Sequence, residues 1–223
     1  MKFNRFLNEL SSSYGKGITF VDIDDTLFHT FAMIKVLKKG KVVKKLNNQE
    51  FNVYDLQPGE EFDFGEFRDA SFFRKTSVPM DKTINRIKRM FKNIGKRGSK
   101  VVLLTAREIF PDMKTFKKTF KENGIPIDNI DVIFYSTKKG PSISKYKENT
   151  IMDFIKTGEY RRVRLIDDAV SNINAFLSIQ NKIPEKVINK VKEKHNITGE
   201  ESINPIEFFG LLALDNGSLK RIN

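Results

Sequence analysis

The chain contains no cysteine and no tryptophan, and its only histidines are His29 and His195. Without cysteine, disulfide bonds, thiolate nucleophiles, zinc fingers and iron–sulfur clusters are excluded, and two histidines cannot form a multi-histidine metal site within one chain. A bound metal would therefore depend on carboxylate and carbonyl oxygens. Such ligands favour a hard ion such as Mg²⁺.

The sequence also lacks a long hydrophobic run. The longest candidate, residues 208–214, is much shorter than the roughly 18 residues that a membrane-spanning helix needs. The basic N-terminus has no continuous apolar stretch of the kind found in secretory signals. We therefore expect a cytoplasmic protein without a membrane partner.

Positive charge, by contrast, is abundant. Forty lysines and arginines against 28 aspartates and glutamates leave a formal net charge of +12 on 223 residues. Such a surface attracts anions, including phosphates, nucleic acid and acidic proteins. The length fits one domain with a modest insertion, and the composition, 39% hydrophobic and 30% charged, is that of a folded chain.

Short apolar runs alternate with amphipathic helical patterns along most of the sequence. The predicted buried strands are residues 18–21, 101–104, 132–135 and 163–166. Strands that alternate with helices at this spacing form a mainly parallel, doubly wound α/β sheet. The predicted fold class is therefore α/β with a Rossmann-like core.

Two regions depart from this alternation. Residues 31–77 contain a predicted hairpin with a turn at Gly40 and then an acidic, aromatic segment, with too few apolar positions for an independent domain. We interpret them as a small cap or flap insertion in a catalytic core of residues 1–30 and 78–180. The tail, residues 181–223, is predicted to be a short C-terminal extension that packs on the core or on a partner.

Polar residues follow three of the predicted strands, at the edge where open α/β sheets bind ligands. Carboxylates that meet there from separate strands repel one another unless a cation lies among them, and oxygen ligands suit Mg²⁺. The residues in question are Asp22, Asp24, Asp25 and Thr26 after the first strand, Thr105 and Arg107 after the second, and Asp167 and Asp168 after the fourth.

These residues resemble the motifs of the haloacid dehalogenase (HAD) superfamily. The DIDDT run at 22–26 is similar to its first motif, D-x-D-x-T, the strand ending in Thr105 to its second, and the acidic pair at 167–168 to its fourth. The DDTLF run, the Thr-Ala-Arg exit and the early insertion further resemble small HAD phosphatases of bacteriophages and the phosphatase domain of polynucleotide kinase-phosphatases. A phage origin would place the protein in the host cytoplasm.

The third HAD motif is a lysine, and the sequence leaves its position open. We favour Lys147, because the apolar residues of 151–155 then form the inward face of the helix that it opens, and Lys145 is the alternative. All the candidates lie between the third and fourth predicted strands; they are Lys138, Lys139, Lys145 and Lys147.

The resemblance implies a Mg²⁺-dependent phosphatase that acts through an aspartyl-phosphate. Asp22 would be the nucleophile, and Asp24 would protonate the leaving oxygen and then deprotonate water. Mg²⁺ would be held by Asp22, the backbone carbonyl of Asp24 and Asp167, and Asp168 would support these ligands.

The same resemblance implies a binding site for the phosphate. Lys147 and Thr105 would offset charge on the transferring group and take part in catalysis, Arg107 would hold the substrate, and Asn172 would help to orient the loop after the fourth strand. The implied partner is a phosphate-monoester substrate. The small insertion and the basic charge favour a nucleotide or a nucleic-acid phosphate end.

Several residues also have structural interpretations that the sequence leaves open. Asp167 and Asp168 could cap the next helix, since aspartate is a favoured N-cap. Arg107 could pair with an acid instead of a substrate, and His29 is expected to be a bystander. A calcium loop of the EF-hand type is excluded, because Leu27 stands where that loop requires glycine.

Two other functions compete with the phosphatase. The first is a non-catalytic protein with the HAD fold that binds nucleic acid or associates with a virion or a replication partner, although retained acids at the strand ends speak against it. The second is a phospho-acceptor receiver domain, whose acids follow another order and which needs about half this length. The oligomeric state stays open.

Overall fold

The computed structural model describes residues 16–51, 53–94, 98–135, 142–197 and 204–222. The strands are β1 (Gly17–Val21), β2 (Phe28–His29), β3 (Ile34–Lys38), β4 (Lys41–Leu46), β5 (Glu60–Asp63), β6 (Val78–Pro79), β7 (Lys100–Thr105), β8 (Asp131–Phe134), β9 (Arg162–Asp167), β10 (Glu207–Ala213) and β11 (Leu219–Ile222). The helices are α1 (Asn48–Phe51), α2 (Gly65–Arg68), α3 (Ala70–Thr76), α4 (Asp81–Ile94), α5 (Met113–Glu122), α6 (Ile143–Lys156), α7 (Val170–Ser178) and α8 (Glu185–Lys194).

Six strands form the central sheet, in the order β11-β10-β9-β1-β7-β8. All neighbours pair in parallel except β10 and β11. In the centre, Val21 of β1 lies level with Leu103 of β7 and Ile166 of β9. These apolar strands are buried on both faces, as strands between two helical layers must be. The predicted α/β class with a mainly parallel sheet is confirmed.

Helices cover the two faces of the sheet and form two apolar clusters. On one face, Ile87 of α4 and Phe116 of α5 are fully buried. On the other, Ile151 of α6, Phe176 of α7 and Val191 of α8 are buried against the sheet. None of the helices in the described part of the chain has the length and apolar character that a membrane crossing requires.

The region interpreted as an insertion forms a small antiparallel sheet of its own, in the order β4-β3-β5. The predicted hairpin is present, because β3 and β4 flank a turn in which Gly40 has a φ of +72°. Val36, Phe62 and Phe67 belong to a separate small core beneath this sheet. The aromatic residues of this segment therefore fill a core of their own.

Both ends of the insertion are fastened to the core. The strands β2 and β6 pair with each other, so the chain leaves the core at His29 and returns beside it at Val78. The last helix of the segment, α3, is capped by Asp69, whose carboxylate accepts hydrogen bonds from the amides of residues 71 and 72. Phe73 of α3 is buried in the core cluster against Phe116 of α5.

The C-terminal segment contributes more than the packing extension that was predicted for it. Strand β10 pairs in parallel with β9, and β11 closes that edge of the sheet in the antiparallel direction. Gly210 allows β10 to approach α7, because a Cβ atom at this position would lie 2.7 Å from Cγ2 of Ile173. Residues 207–222 are therefore part of the central sheet.

Candidate functional site

The three central strands bring the predicted site residues to one edge. The Asp22 amide donates to the Ile166 carbonyl at 2.9 Å, which extends the β1–β9 pairing by one residue and places Asp22 beside Asp167. Thr105 ends β7 on the other side of β1. Carboxylate oxygens of Asp22, Asp167 and Asp168 lie within 4.8 Å of one another. The distance between the first and fourth motif residues therefore allows one cation to bridge them.

Lys147 lies between two of these aspartates. Its Nζ donates to Oδ1 of Asp22 at 2.8 Å and to Oδ2 of Asp167 at 2.7 Å, and its side chain is only 2% exposed. The alternative, Lys145, is half exposed and pairs with Glu148. Of the two candidates among the described residues, Lys147 is the one that contacts these aspartates; Lys138 and Lys139 lie outside the described residues.

The helix that carries Lys147 begins earlier than predicted. The hydroxyl of Ser142 accepts a hydrogen bond from the amide of Lys145, so α6 begins at Ile143 and Lys147 lies in its second turn instead of opening it. Ile151 and Ile155 nevertheless form the buried face, as expected. Lys147 is buried on the same helix and lies at the edge of the sheet, where it contacts Asp22 and Asp167.

Asp167 is held through its second oxygen. Its Oδ1 accepts from the Ala169 amide at 3.0 Å and from Nδ2 of Asn172 at 2.9 Å, while Asn172 Oδ1 accepts from the Ser144 hydroxyl at 2.8 Å. Asn172 thus orients the loop as predicted, whereas Ser144 was missed, because a serine within a helix gives no sequence signal. The N-cap of α7 is Ala169, so the capping interpretation of Asp167 and Asp168 is wrong.

The acidic cluster is electrostatically costly without a cation. Burial raises the pKa of Asp22, and its aspartate neighbours add to this, against the opposing effect of Lys147. Asp168 is exposed as a whole residue, but its carboxyl group lies close to those of the buried Asp22 and Asp167. Desolvation, and then repulsion by Asp167, raise the pKa of Asp168 to about 7. Despite its burial, Lys147 has a raised pKa because of Asp167 and Asp22.

The donor set of this cluster suits a divalent metal ion. Its atoms are all carboxylate oxygens, and one ammonium group balances only part of the charge of three carboxylates. The side chain of Asp24 does not belong to this cluster. Asp22, Asp167 and Asp168 could together bind a metal ion.

Asp24 is instead paired with Arg107. The Nε and Nη2 atoms of Arg107 donate to the Asp24 carboxylate over distances of 2.6 to 3.1 Å, and its Nη1 donates to the Phe67 carbonyl at 2.9 Å. Thr105 is fully buried, and its hydroxyl oxygen accepts from the Arg107 amide at 3.1 Å. Of the two interpretations of Arg107, the structure contains the pairing with an acid.

Other residues after β1 hold the loop in place. Ile23, between Asp22 and Asp24, and Leu27, after them, are fully buried and anchor the loop to the core. Asp25 has a φ of +50°, a conformation that aspartate tolerates better than most residues, and its Oδ1 lies 3.7 Å from Nδ1 of His29. The other ring nitrogen of His29 lies 2.9 Å from the Asp215 carbonyl, so His29 links this loop to the β10–β11 turn.

Comparison with known proteins adds no relative to this picture. No family model matches the chain, and no curated protein is significantly similar to it. A function must therefore be inferred from the site residues themselves.

Proposed function

We propose that the protein is a Mg²⁺-dependent phosphatase of the HAD type that hydrolyses phosphate monoesters through an aspartyl-phosphate. The observation that carries the proposal is the ammonium of Lys147 between the carboxylates of Asp22 and Asp167, at 2.8 and 2.7 Å. Three residues from two strand ends and a helix converge there, next to Asp168. A scaffold has no physical reason to bury such a set, since unpaired charges destabilise a fold.

Asp22 is the proposed nucleophile. One of its oxygens, Oδ1, is held by Lys147, which leaves Oδ2 to attack phosphorus. A bond forms between this oxygen and phosphorus as the ester bond breaks, and the electron pair of that bond stays with the leaving oxygen. Covalent capture of the phosphoryl group divides a difficult hydrolysis into two easier steps.

Asp24 is the proposed general acid and base. It gives a proton to the leaving oxygen in the first step and takes one from water in the second, when the water oxygen attacks phosphorus and releases Asp22. The buried side chain of Arg107 fixes its carboxylate. The two acids therefore have different environments and different tasks, as acid–base catalysis at a shared site requires.

Mg²⁺ is the proposed cofactor because all the available ligands are oxygens. Asp22, Asp167 and Asp168 would hold it, together with the backbone carbonyl of Asp24. Bound there, the ion would offset negative charge on the transferring phosphoryl group. Asn172 and the Ala169 amide keep Asp167 oriented through its other oxygen.

The preferred substrate is a nucleotide or a nucleic-acid phosphate end. The net charge of +12 favours a polyanion, and exposed lysines line the turn and the edge strand β4 of the insertion. The same lysines would serve the rival function, a non-catalytic protein that binds nucleic acid. Catalysis therefore has to be tested directly.

The test is hydrolysis of p-nitrophenyl phosphate with and without Mg²⁺, followed by a panel of 5′- and 3′-nucleotides and phosphorylated DNA ends. Asp22→Asn should lower kcat by about 10³-fold or more. The matched control is Asp153→Asn, an exposed acid on α6 that should keep full activity. No hydrolysis of any ester, together with tight and salt-sensitive DNA binding, would favour the rival function.

A second variant tests the division of roles. Asp24→Asn should slow turnover strongly and leave the affinity for Mg²⁺ nearly unchanged, because only the backbone of this residue is a proposed ligand. Titration calorimetry with Mg²⁺ measures that affinity independently of turnover. A large loss of metal binding in this variant would contradict the assignment.

A further inference from the structure

We propose that Arg107 is a positioning residue that couples the insertion to the general acid Asp24. The proposal rests on the function proposed above, since Asp24 has this task only in a phosphatase. It replaces the substrate-binding role that the sequence suggested for Arg107. The insertion then contributes to catalysis without touching the reacting atoms.

At its inner end, Arg107 fixes the orientation of the Asp24 carboxylate. Nη2 lies 2.6 Å from Oδ1, and Nε lies 2.8 Å from Oδ2. A two-point contact between two planar groups sets the direction of the carboxylate as well as its distance. The Asp24 side chain is 13% exposed and that of Arg107 only 1%, so the carboxylate is the more accessible of the two groups.

At its outer end, Arg107 is bound by the insertion. Nη1 donates to the backbone carbonyl of Phe67 in α2, and the Phe67 ring lies 4.8 Å from the guanidinium carbon. The rings of Phe73 and Phe110 lie 4.8 and 5.5 Å from the same atom. Phe67 also packs in the small core of the insertion. One side chain therefore joins that core to the acid of the first motif.

This environment is unsuited to a substrate contact. The Arg107 side chain is only 1% exposed, and each of its three nitrogens already donates to protein oxygen. A phosphate could reach this buried guanidinium only by disturbing its contact with Asp24 or the aromatic rings packed around it, and breaking a buried hydrogen bond is costly. Asp24 is the more exposed partner and is therefore more accessible to a phosphate than Arg107 is.

The dependence on the leaving group separates a positioning role from a structural one. A poor leaving group such as an alkoxide needs a proton from Asp24, whereas p-nitrophenolate leaves without one. We expect Arg107→Lys to lower kcat about 100-fold further on an alkyl phosphate than on p-nitrophenyl phosphate, with KM changed little for either. Lysine keeps the charge, but it cannot make the two-point contact and reach Phe67 as well.

The matched control is Arg74→Lys. Arg74 also makes a two-point contact with a carboxylate, that of Glu122, but on the surface of the protein. In this variant, the kcat values on the alkyl phosphate and on p-nitrophenyl phosphate should keep their wild-type ratio. Phe67→Leu removes the ring that packs on the Arg107 guanidinium from the side of the insertion. It should lower kcat selectively on the alkyl phosphate, as Arg107→Lys does, but more weakly. This variant keeps the test decisive if Arg107→Lys does not fold.

A further readout does not depend on activity. The amides of Phe67 and Asp69 donate to backbone carbonyls of the insertion, so their hydrogen exchange reports on α2. Exchange should be faster in Arg107→Lys than in Arg74→Lys. Equal losses of kcat on both substrates, a raised KM for both, or unchanged exchange would overturn the proposal. A wild-type protein inactive on every ester would overturn the phosphatase instead, and the exchange result would still decide the coupling.

Discussion

The ammonium of Lys147 lies 2.8 Å from Oδ1 of Asp22, which is 125 residues earlier in the chain. Both side chains are almost completely buried, and the same ammonium contacts Asp167. Burying an ion pair carries a desolvation cost, and good geometry with further hydrogen bonds offsets it. Here the pair also limits the repulsion among three carboxylates, so a residue of the site contributes to the stability of the fold.

Lys147→Met should therefore destabilise the protein as well as inactivate it. Removing one partner of a buried ion pair costs about 3–5 kcal/mol, because the other charge is left uncompensated. Mg²⁺ should restore part of the lost stability. Urea denaturation with and without millimolar Mg²⁺ measures both effects, and Lys145→Met, at a half-exposed position, is the control. A Lys147→Met variant as stable as that control without metal would contradict the electrostatic account.

The local features of this site could be predicted from the sequence, and its long-range pairings could not. Apolar runs that end in polar residues indicated where β1, β7 and β9 stop, because strand burial and strand ends leave a local pattern. Asp24, the acidic partner of Arg107, is 83 residues away in the sequence. The contact of Arg107 with the insertion includes the backbone carbonyl of Phe67, and a backbone group cannot be recognised from the residue type. Residues 208–214 looked like a packing segment because their pairing with β9 is equally non-local.

The free energy of unfolding should depend on pH in the absence of divalent cations. The pKa of Asp168 is about 7 in the folded protein, against about 3.9 for an unfolded aspartate. The folded state therefore binds more protons between these values, so stability should fall as the pH rises from about 4 to about 8. Denaturation in chelator at several pH values measures the slope. Asp168→Asn should flatten it and Asp153→Asn should not; equal slopes in all three proteins would refute this account.

Two buried threonines should respond in opposite ways to the same substitution. The Thr105 hydroxyl accepts from the Arg107 amide, so Thr105→Val leaves a buried N–H group unpaired and should cost about 1–3 kcal/mol. Among the described residues, the buried Thr26 hydroxyl has no hydrogen-bond partner, so Thr26→Val should be neutral or slightly stabilising. Thermal denaturation of the two variants makes the comparison, and equal destabilisation would be the contrary result.

Gly210→Ala tests the place of the C-terminal strand in the sheet. The added methyl group would meet Ile173 Cγ2 at 2.7 Å and the Leu177 side chain at 3.3 Å, so it should cost about 1–3 kcal/mol through overpacking against α7. Gly17→Ala is the matched control in β1, where the nearest atoms lie at an ordinary 3.6 Å. Chemical denaturation should show a loss for residue 210 alone. A neutral Gly210→Ala would mean that β10 does not pack on α7 in this way.

The lysines of the insertion should select the substrate without taking part in the chemistry. Lys38, Lys41 and Lys45 are exposed in and beside the edge strand β4. Their combined replacement by glutamate should lower kcat/KM for a 5′-phosphorylated oligonucleotide and reduce its salt dependence, with a change of about 2 in the log–log slope. Hydrolysis of p-nitrophenyl phosphate should be unaffected, because this substrate has no chain of phosphates to reach the insertion.

The control for this experiment must change the net charge by the same amount as the triple replacement in and beside β4. Three exposed lysines on α5 and α8 serve this purpose: Lys114, Lys118 and Lys186. If the effect came from net charge alone, both triple variants would lose the same kcat/KM on the oligonucleotide. A loss confined to the β4 variant would assign the oligonucleotide to the insertion, whose Phe67 carbonyl also accepts a hydrogen bond from Arg107, the partner of Asp24. The insertion would then both bind the oligonucleotide and contact Arg107, the partner of Asp24.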